Sequence, residues 1–452
     1  MGTAERDTIT FRVVVDLLRR WMAVLLLLAA ACVSSVAADA GMRVAAQQRD
    51  IAYMIARLES HPELIVPARL EAFLGYAAAM RKEAEQPLPT WKVVMLEDRL
   101  TTWLRDPHTH THLYAPGPDL RALPVAFYWA SDGLVAVRTA AAPPGVRTGD
   151  RVLALSGVTP SSIQRRLAAL FFGDRFVTQA YGAMFLPFST VLHALGAVRR
   201  GGDVALRLRR GHGPAITVQV PLLPLSPERD ADARRLFEQR YLLPGGLLGG
   251  SHRGATWAWQ VTPGHGFFLL LSCVDDASYR RAVQAFFRQV AKERSPVVVL
   301  DLQQNGGGDS DVVIPWLEHL PPRFKRSDVA LPTSQGTAPG LPPARPVFGG
   351  RLYVLQSGAT FSSAMWLSDA LTGPGLGVRV GTTIGEPTGG CGNVTMYETP
   401  VFHVPFQVST VCYPPIKGAT TATLPAQIPL PVTVRDIQRG VDPVARWLAS
   451  LP

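Results

Sequence analysis

Three apolar runs constrain this chain more than anything else in it: "GFFLLL" at 266–271, "PVVVLDL" at 296–302 and "RLYVLQ" at 351–356. In the first two, residues of both parities are apolar. A strand built from them has both faces covered, as in a parallel sheet between helices. The intervening segments "SYRRAVQAFFRQVAKE" (278–293), "DVVIPWLEHL" (311–320) and "SSAMWLSDAL" (362–371) read as the covering helices, and "VRVGTTIG" (378–385) adds a further strand. The alternation predicts an α/β unit, a mainly parallel sheet covered by helices, over 225–452.

The preceding residues read differently. "MRVAAQQRDIAYMIARLESH" (42–61) and "ARLEAFLGYAAAMRKEAEQ" (68–86) carry apolar residues at helical spacing, which predicts a helical region over 39–116. From 117 to 224 the texture is that of short strands. "VAFYWASDGLVAVRT" predicts a hairpin turning at Asp132-Gly133, and "DVALRLRRGHGPAITVQVPL" predicts a second one. Between them "GVRTGDRVLALSGV" (145–158) gives a turn, a buried strand and another turn, and on this stretch the β-rich segment resembles a PDZ domain. Such domains take extended C-terminal segments by adding a strand to a sheet edge. Residues 225–250 read as a linker helix ending in glycines.

At the N-terminus, Arg12, Arg19 and Arg20 precede "WMAVLLLLAAACVSSVAADA". A basic start, an apolar run and small residues predict an export signal over 1–38, or an uncleaved membrane anchor. The body of the protein is then periplasmic or secreted. The net charge is +10, but the basic residues are scattered and do not interleave with aromatics, which gives no reason to expect a nucleic-acid partner. Without the signal, three cysteines remain, Cys273, Cys391 and Cys412, and an oxidising compartment permits a bridge between the last two.

Two strand–loop–helix units carry chemistry. The first ends in Asn305-Gly306-Gly307-Gly308, whose glycines can turn backbone N–H groups toward a bound anion. It lacks the ending of a phosphate loop and the spacing of a dinucleotide loop, and fits an oxyanion hole better. The second places Ser362 at the mouth of a helix, where a serine is either a cap or a nucleophile. Ser363 would supply a second backbone donor. Upstream, His108, His110 and His112 alternate in "RDPHTHTHLY", so on a strand they share one face, as metal ligands do.

Together, "VVVLDLQQNGGG", "RLYVLQSGATFSSAMWLSDAL" and "VRVGTTIGEPTGG", in this order, resemble the tail-specific or C-terminal processing serine peptidases. "DIQRGVDPVARWLASL" looks like that family's closing helix. The resemblance implies a crotonase-like catalytic domain, Ser362 as nucleophile, and an oxyanion hole from the Gly306–Gly307 backbone and the Ser363 N–H. It implies no cofactor, and polypeptides with exposed C-termini as partners. The chain departs from the lysine-dependent branch, because Cys391 stands about where that lysine would be. The only lysine after Ser362 is Lys417. The "D-x-H-T" at Asp106–Thr109 resembles the tricorn-type branch and makes His108 the favoured base, with Glu386 and Asp106 as candidate orienting acceptors. Two alternatives stand beside this reading: a non-catalytic relative kept as a binding module, and a hydrolase using the histidine cluster as a metal site.

Overall fold

The structure, a computed structural model, describes residues 40–113, 121–138, 141–172, 175–198, 202–224, 252–321, 347–373, 375–415 and 423–451. The segment at 1–38, the linker at 225–250 and Lys417 lie outside the described residues. Among the described residues, no helix is long and apolar enough to cross a membrane.

The chain begins helical, as its spacing predicts: α1 (40–58), α2 (Pro67–Glu83) and α3 (Thr90–Thr102). They share a core of Ile51, Met54, Leu58, Phe73, Leu96 and Leu100 that also takes in Phe406 and Val408 from a distant hairpin. A two-residue strand, β1 (His110–Thr111), pairs with that hairpin.

Next come the strands β2 (Val125–Ala130), β3 (Gly133–Arg138), β4 (Arg151–Leu155), β5 (Asp203–Arg209) and β6 (Ala215–Pro221), which form one antiparallel sheet in sequence order. The first hairpin turns one residue earlier than its sequence suggests. Ala130 pairs with Gly133, so Ser131 and Asp132 are the loop. The segment is also less purely β than its texture suggests. Three helices lie within it: α4 (Pro160–Leu167), α5 (Arg175–Phe185) and α6 (Ser189–Ala194). The side chain of Thr159 caps α4, and Pro160 is preset for its first turn.

The α/β unit is built on seven strands: β7 (His252–Arg253), β8 (Trp257–Val261), β9 (His265–Leu270), β10 (Val297–Asp301), β11 (Arg351–Gln356), β12 (Gly377–Gly381) and β15 (Ile428–Pro429). From β9 to β15 every pairing is parallel, and β7 and β8 close the edge antiparallel. Alternate residues enter different cores. Phe268, Leu270, Val298 and Leu300 face α7 (Ala277–Glu293) and α8 (Ile314–Glu318), while Phe267, Leu269, Val297 and Val299 face the C-terminal end of the chain. α7 starts where the Asp276 side chain accepts the Tyr279 N–H, and stops at Arg294 in the left-handed region. Its buried stripe, Tyr279, Val283, Phe286, Phe287 and Val290, contributes about 1.5–3 kcal/mol per large side chain.

α9 (Ser363–Thr372) joins β11 to β12. A long hairpin, β13 (Gly390–Glu398) and β14 (Pro405–Tyr413), then leaves the sheet and reaches back to β1 and the N-terminal helices. The expected closing helix is two short ones, α10 (Val434–Arg439) and α11 (Pro443–Leu448). Gly440 ends the first in the left-handed region, and Asp442 and Pro443 start the second.

Candidate active site

Ser362 is not a helix cap. It occupies the position before α9 with φ 54° and ψ −127°, and its hydroxyl makes no capping bond. A non-glycine residue in this region carries strain of order 1–3 kcal/mol and persists only where its surroundings hold it. Here they do. The Phe361 N–H donates to the Asn305 carbonyl at 3.0 Å, and Thr360 Oγ1 donates to the Leu302 carbonyl at 2.8 Å. The Ser362 N–H itself donates to Glu386 Oε2. The loop after β11 is thus lashed to the loop after β10, and the serine side chain is left to the cavity.

The glycine loop is organised by Asn305, which is fully buried. Its Nδ2 donates to the Leu270 carbonyl at 3.2 Å, and its Oδ1 accepts the Gly307 N–H at 2.9 Å. This corrects the sequence expectation for the backbone donors. The Gly307 amide is engaged, and Gly306 sits beside Tyr181 rather than along the cavity. Gly307 is instead a spacer, since a Cβ there would lie 2.6 Å from Ser362 Cβ. Gly308 and Ser363 both line the cavity with Ser362. The bridge from this loop to Cys273 uses the Gly307 carbonyl and the Asp309 N–H, so the N–H and carbonyl of Gly308 face the other way, toward Ser363. Ser363 Oγ donates to that carbonyl at 2.7 Å and shares a hydrogen bond with Ser310 Oγ at 2.9 Å.

His108 reaches the same cavity, of about 310 Å³, from the N-terminal side. It lies in a turn before β1, and Asp106 builds that turn. Asp106 Oδ1 accepts the His108 N–H at 3.0 Å. Oδ2 accepts from Thr109 Oγ1 at 2.7 Å, from Ser409 Oγ, and from His61 Nε2 at 3.1 Å. Burial pushes this carboxyl up, but the bonds from His61, Ser409 and Thr109 outweigh it and hold Asp106 below the usual carboxylate range. The turn is fastened to β14 by Gln407 Nε2 donating to the His108 carbonyl at 2.7 Å.

The imidazole of His108 packs on the Phe361 ring, centroids 4.6 Å apart. Nδ1 stands 3.9 Å from Asp106 Oδ1, and Nε2 stands 3.6 Å from Glu386 Oε1. Both nitrogens are buried and neither has a hydrogen-bond partner of ordinary geometry. Burial lowers the pKa of His108 below its usual value, against the opposing charge of Asp106 and the nearby Cys391 backbone. Burial raises Glu386 to about 8, offset in part by the Ser362 N–H and reinforced by the Asp106 charge. Burial thus disfavours the charged form of both groups.

Residues 271–405 match the model of peptidase family S41. Those residues form a peptidase family S41 domain. The domain is accordingly of the serine peptidase type. The matched residues contain Ser362, Glu386 and the glycine loop, whereas His108 precedes them. No curated protein matches the sequence significantly. Among solved structures, mature CPAF aligns with a TM-score of 0.64 at 15% identity, covering 90% of this chain and 96% of that one. Mature CPAF complexed with lactacystin aligns at 0.63 and 15%, covering 90% and 97%. The photosystem II D1 C-terminal processing protease aligns at 0.42 and 14%, covering 88% and 98%. At such identities the CPAF likeness is one of fold.

One sequence feature resolves differently from its pattern. The alternating histidines do not gather around a point, because only His110 lies on β1 while His108 precedes it in the turn. His110 Nδ1 meets the Pro107 carbonyl at 3.0 Å and burial takes its pKa down to about 4; His112 stacks on His110 and is lowered by burial too. The group the fold does gather is His61, Asp106 and Cys391. Cys391 is bonded to Cys412, its partner across the β13–β14 hairpin, while Cys273 is buried and free.

Tyr181 and His61 were not foreseen. Tyr181, on α5, packs edge-on against Phe361, and burial together with the Glu386 charge raises its pKa. Its only local signal is a place on an apolar helix face. His61 sits before a short helical turn, where its Nδ1 accepts the Glu63 N–H, but its tie to Asp106 spans 45 residues.

Proposed function

We propose that this S41 peptidase is an exported endopeptidase that cleaves unfolded or tail-exposed polypeptides through an acyl-enzyme on Ser362. One observation carries the reading. Ser362, in a strained elbow with an uncommitted hydroxyl, shares a cavity with a buried histidine whose ring nitrogens have no partner and with a carboxyl beside that ring.

The chemistry follows from these groups. Neutral His108 takes the hydroxyl proton as Ser362 Oγ attacks the scissile carbonyl. The developing oxyanion is met by the N–H of Ser363 at the start of α9, where the helix dipole also favours negative charge, and by the N–H of Gly308 from the facing glycine loop. Glu386 fixes the elbow through the Ser362 N–H and, once ionised, stabilises the imidazolium. His108 then returns its proton to the leaving amine, and water releases the acyl group by the reverse sequence. The lysine route is not needed for any of these steps.

A second cavity, of about 430 Å³, supports recruitment of chain ends. It lies between β2, α5 and the carboxyl ends of β10, β11 and β12, with Tyr128, Trp129, Phe176 and Phe267 as apolar walls, and Arg175, Asp301 and Asp442 as charged groups. The apolar walls suit an apolar segment, with Arg175 as the group that would meet its terminal carboxylate.

The test is covalent trapping. A serine-directed phosphonate should label the folded protein once, at Ser362, and an unfolded polypeptide should slow the labelling. Label at another serine, or labelling of Ser362→Ala at the same rate, would overturn the reading.

A further inference from the structure

We propose that Cys412 is a thiol-exchange site, and that exchange there lowers peptidase activity by releasing the Cys391 thiolate beside the Asp106 turn. The two halves of the bridge differ in setting. Cys412 is exposed on β14, whereas Cys391 is 4% exposed on β13. Exchange requires a thiolate to reach one sulfur in line with the other, so the exposed sulfur is the one attacked. A low-molecular-weight thiolate bonds to Cys412 Sγ, the Cys391–Cys412 bond breaks, and its electron pair leaves on Cys391 Sγ. The products are a mixed disulfide on Cys412 and a thiolate on Cys391.

That thiolate forms in an unusual place. Cys391 Sγ, a ring nitrogen of His61 and an oxygen of Asp106 all lie within 4.8 Å of one another, and all three residues are buried. His61 Nδ1 accepts the Glu63 N–H at 3.2 Å, so its proton is on Nε2, the nitrogen that now donates to Asp106 at 3.1 Å. The new anion competes for that proton and repels the Asp106 carboxylate. Asp106 is the residue whose other oxygen holds the His108 N–H. Exchange at the surface is thereby coupled to the seat of the base. The low-energy course for the thiolate is to take the His61 hydrogen bond, which costs Asp106 one of its anchors.

The inference rests on His108 as the base. The test exposes the folded, full-length protein to reduced glutathione, with near-ultraviolet circular dichroism to follow the fold. Adducts are mapped by mass spectrometry and hydrolysis is assayed in parallel. The expected result is one glutathione on Cys412, a free thiol at Cys391, and a loss of activity of about tenfold or more. Cys412→Ser, which frees Cys391 permanently, should show the same loss without glutathione. The Cys391→Ser/Cys412→Ser double variant has no thiolate and should keep most of its activity and ignore glutathione. No adduct on the folded protein, an adduct on Cys391, an adduct without loss of activity, or a double variant as impaired as Cys412→Ser would each overturn the proposal. Adduct position and thiol content are read without hydrolysis, so the exchange site stands or falls even if His108→Ala proves active.

Discussion

Glu386 accepts the backbone N–H of Ser362 with one carboxyl oxygen, and its other oxygen stands 3.6 Å from His108 Nε2. One buried side chain therefore braces the elbow and faces His108. This explains how a serine with φ 54° is held where a capping conformation would be easier.

Ser362→Ala should remove hydrolysis by more than about a thousandfold while leaving the fold intact. The hydroxyl makes no capping bond, and alanine meets the same backbone strain as serine, so the melting temperature should barely move. Turnover of an unfolded protein and a thermal melt, run side by side, check both halves. Undiminished hydrolysis sinks the nucleophile.

The pH profile should begin with His108. Burial lowers its pKa, so activity should rise through a midpoint below the ordinary histidine value of about 6.5 as the ring loses its proton. A second rise belongs to Glu386, near pH 8, where the carboxyl ionises and can stabilise the imidazolium. Glu386→Gln keeps an oxygen for the Ser362 N–H and removes the charge. It should lose the upper rise and about ten- to a hundredfold in kcat, with KM little changed. An unaltered profile in that variant would assign Glu386 a bracing role alone.

Much of this arrangement was open to sequence reasoning, and the remainder fails for identifiable reasons. Phe267 and Phe268 enter opposite cores, so their run reads as a strand covered on both sides without reference to any other residue. The glycine loop could be placed, but not the fate of its amides, because the Gly307 N–H is claimed by a side chain whose rotamer is set by the distant Leu270 carbonyl. Glu386 could be named only as one of two acceptors. Both it and Asp106 prove to lie near the ring, on different nitrogens. The tie between His61 and Asp106 left no trace in local pattern, since neither residue's neighbours depend on the other. The helices of residues 160–194 were obscured by the strands around them.

Stability should fall as the pH rises from mildly acidic toward 8. Asp98 is fully buried on α3, and burial raises it to about 8 against a hydrogen bond from Thr111. Glu97 beside it is raised well above its usual value by burial and the Asp50 charge, and neither of its oxygens has a partner. For a group whose folded pKa exceeds its unfolded one, the stabilisation is complete below the unfolded pKa and is lost as pH rises through the folded pKa. Each unit of difference is worth about 1.4 kcal/mol. Asp98→Asn retains an acceptor for Thr111 and cannot ionise, so its melting temperature should fall less steeply between pH 5 and pH 8 than that of the parent, within the range set by the two pKa values. Parallel curves would show that Asp98 does not titrate in this window.

Gly307→Ala isolates the spacing between the two loops. The glycine has φ 101°, where any side chain is strained. Its added methyl would lie 2.6 Å from Ser362 Cβ, 2.9 Å from the Phe361 carbonyl oxygen and 3.1 Å from the Ser363 N. None of these is the flexible end of a side chain, so the elbow itself must move. The predicted cost is about 1–3 kcal/mol of stability from strain and overpacking. The catalytic cost should be larger, because the methyl displaces Ser362 and the Ser363 amide together, and misplacement by about 1 Å can cost about a hundredfold. Denaturant unfolding gives the first quantity and kcat/KM on one substrate gives the second. Gly306→Ala is the control: its added methyl would meet only the Tyr181 hydroxyl at 3.7 Å, so activity should stay close to that of the parent. If Gly307→Ala loses no more activity than Gly306→Ala, the contact between Gly307 and Ser362 does not set the geometry of the nucleophile.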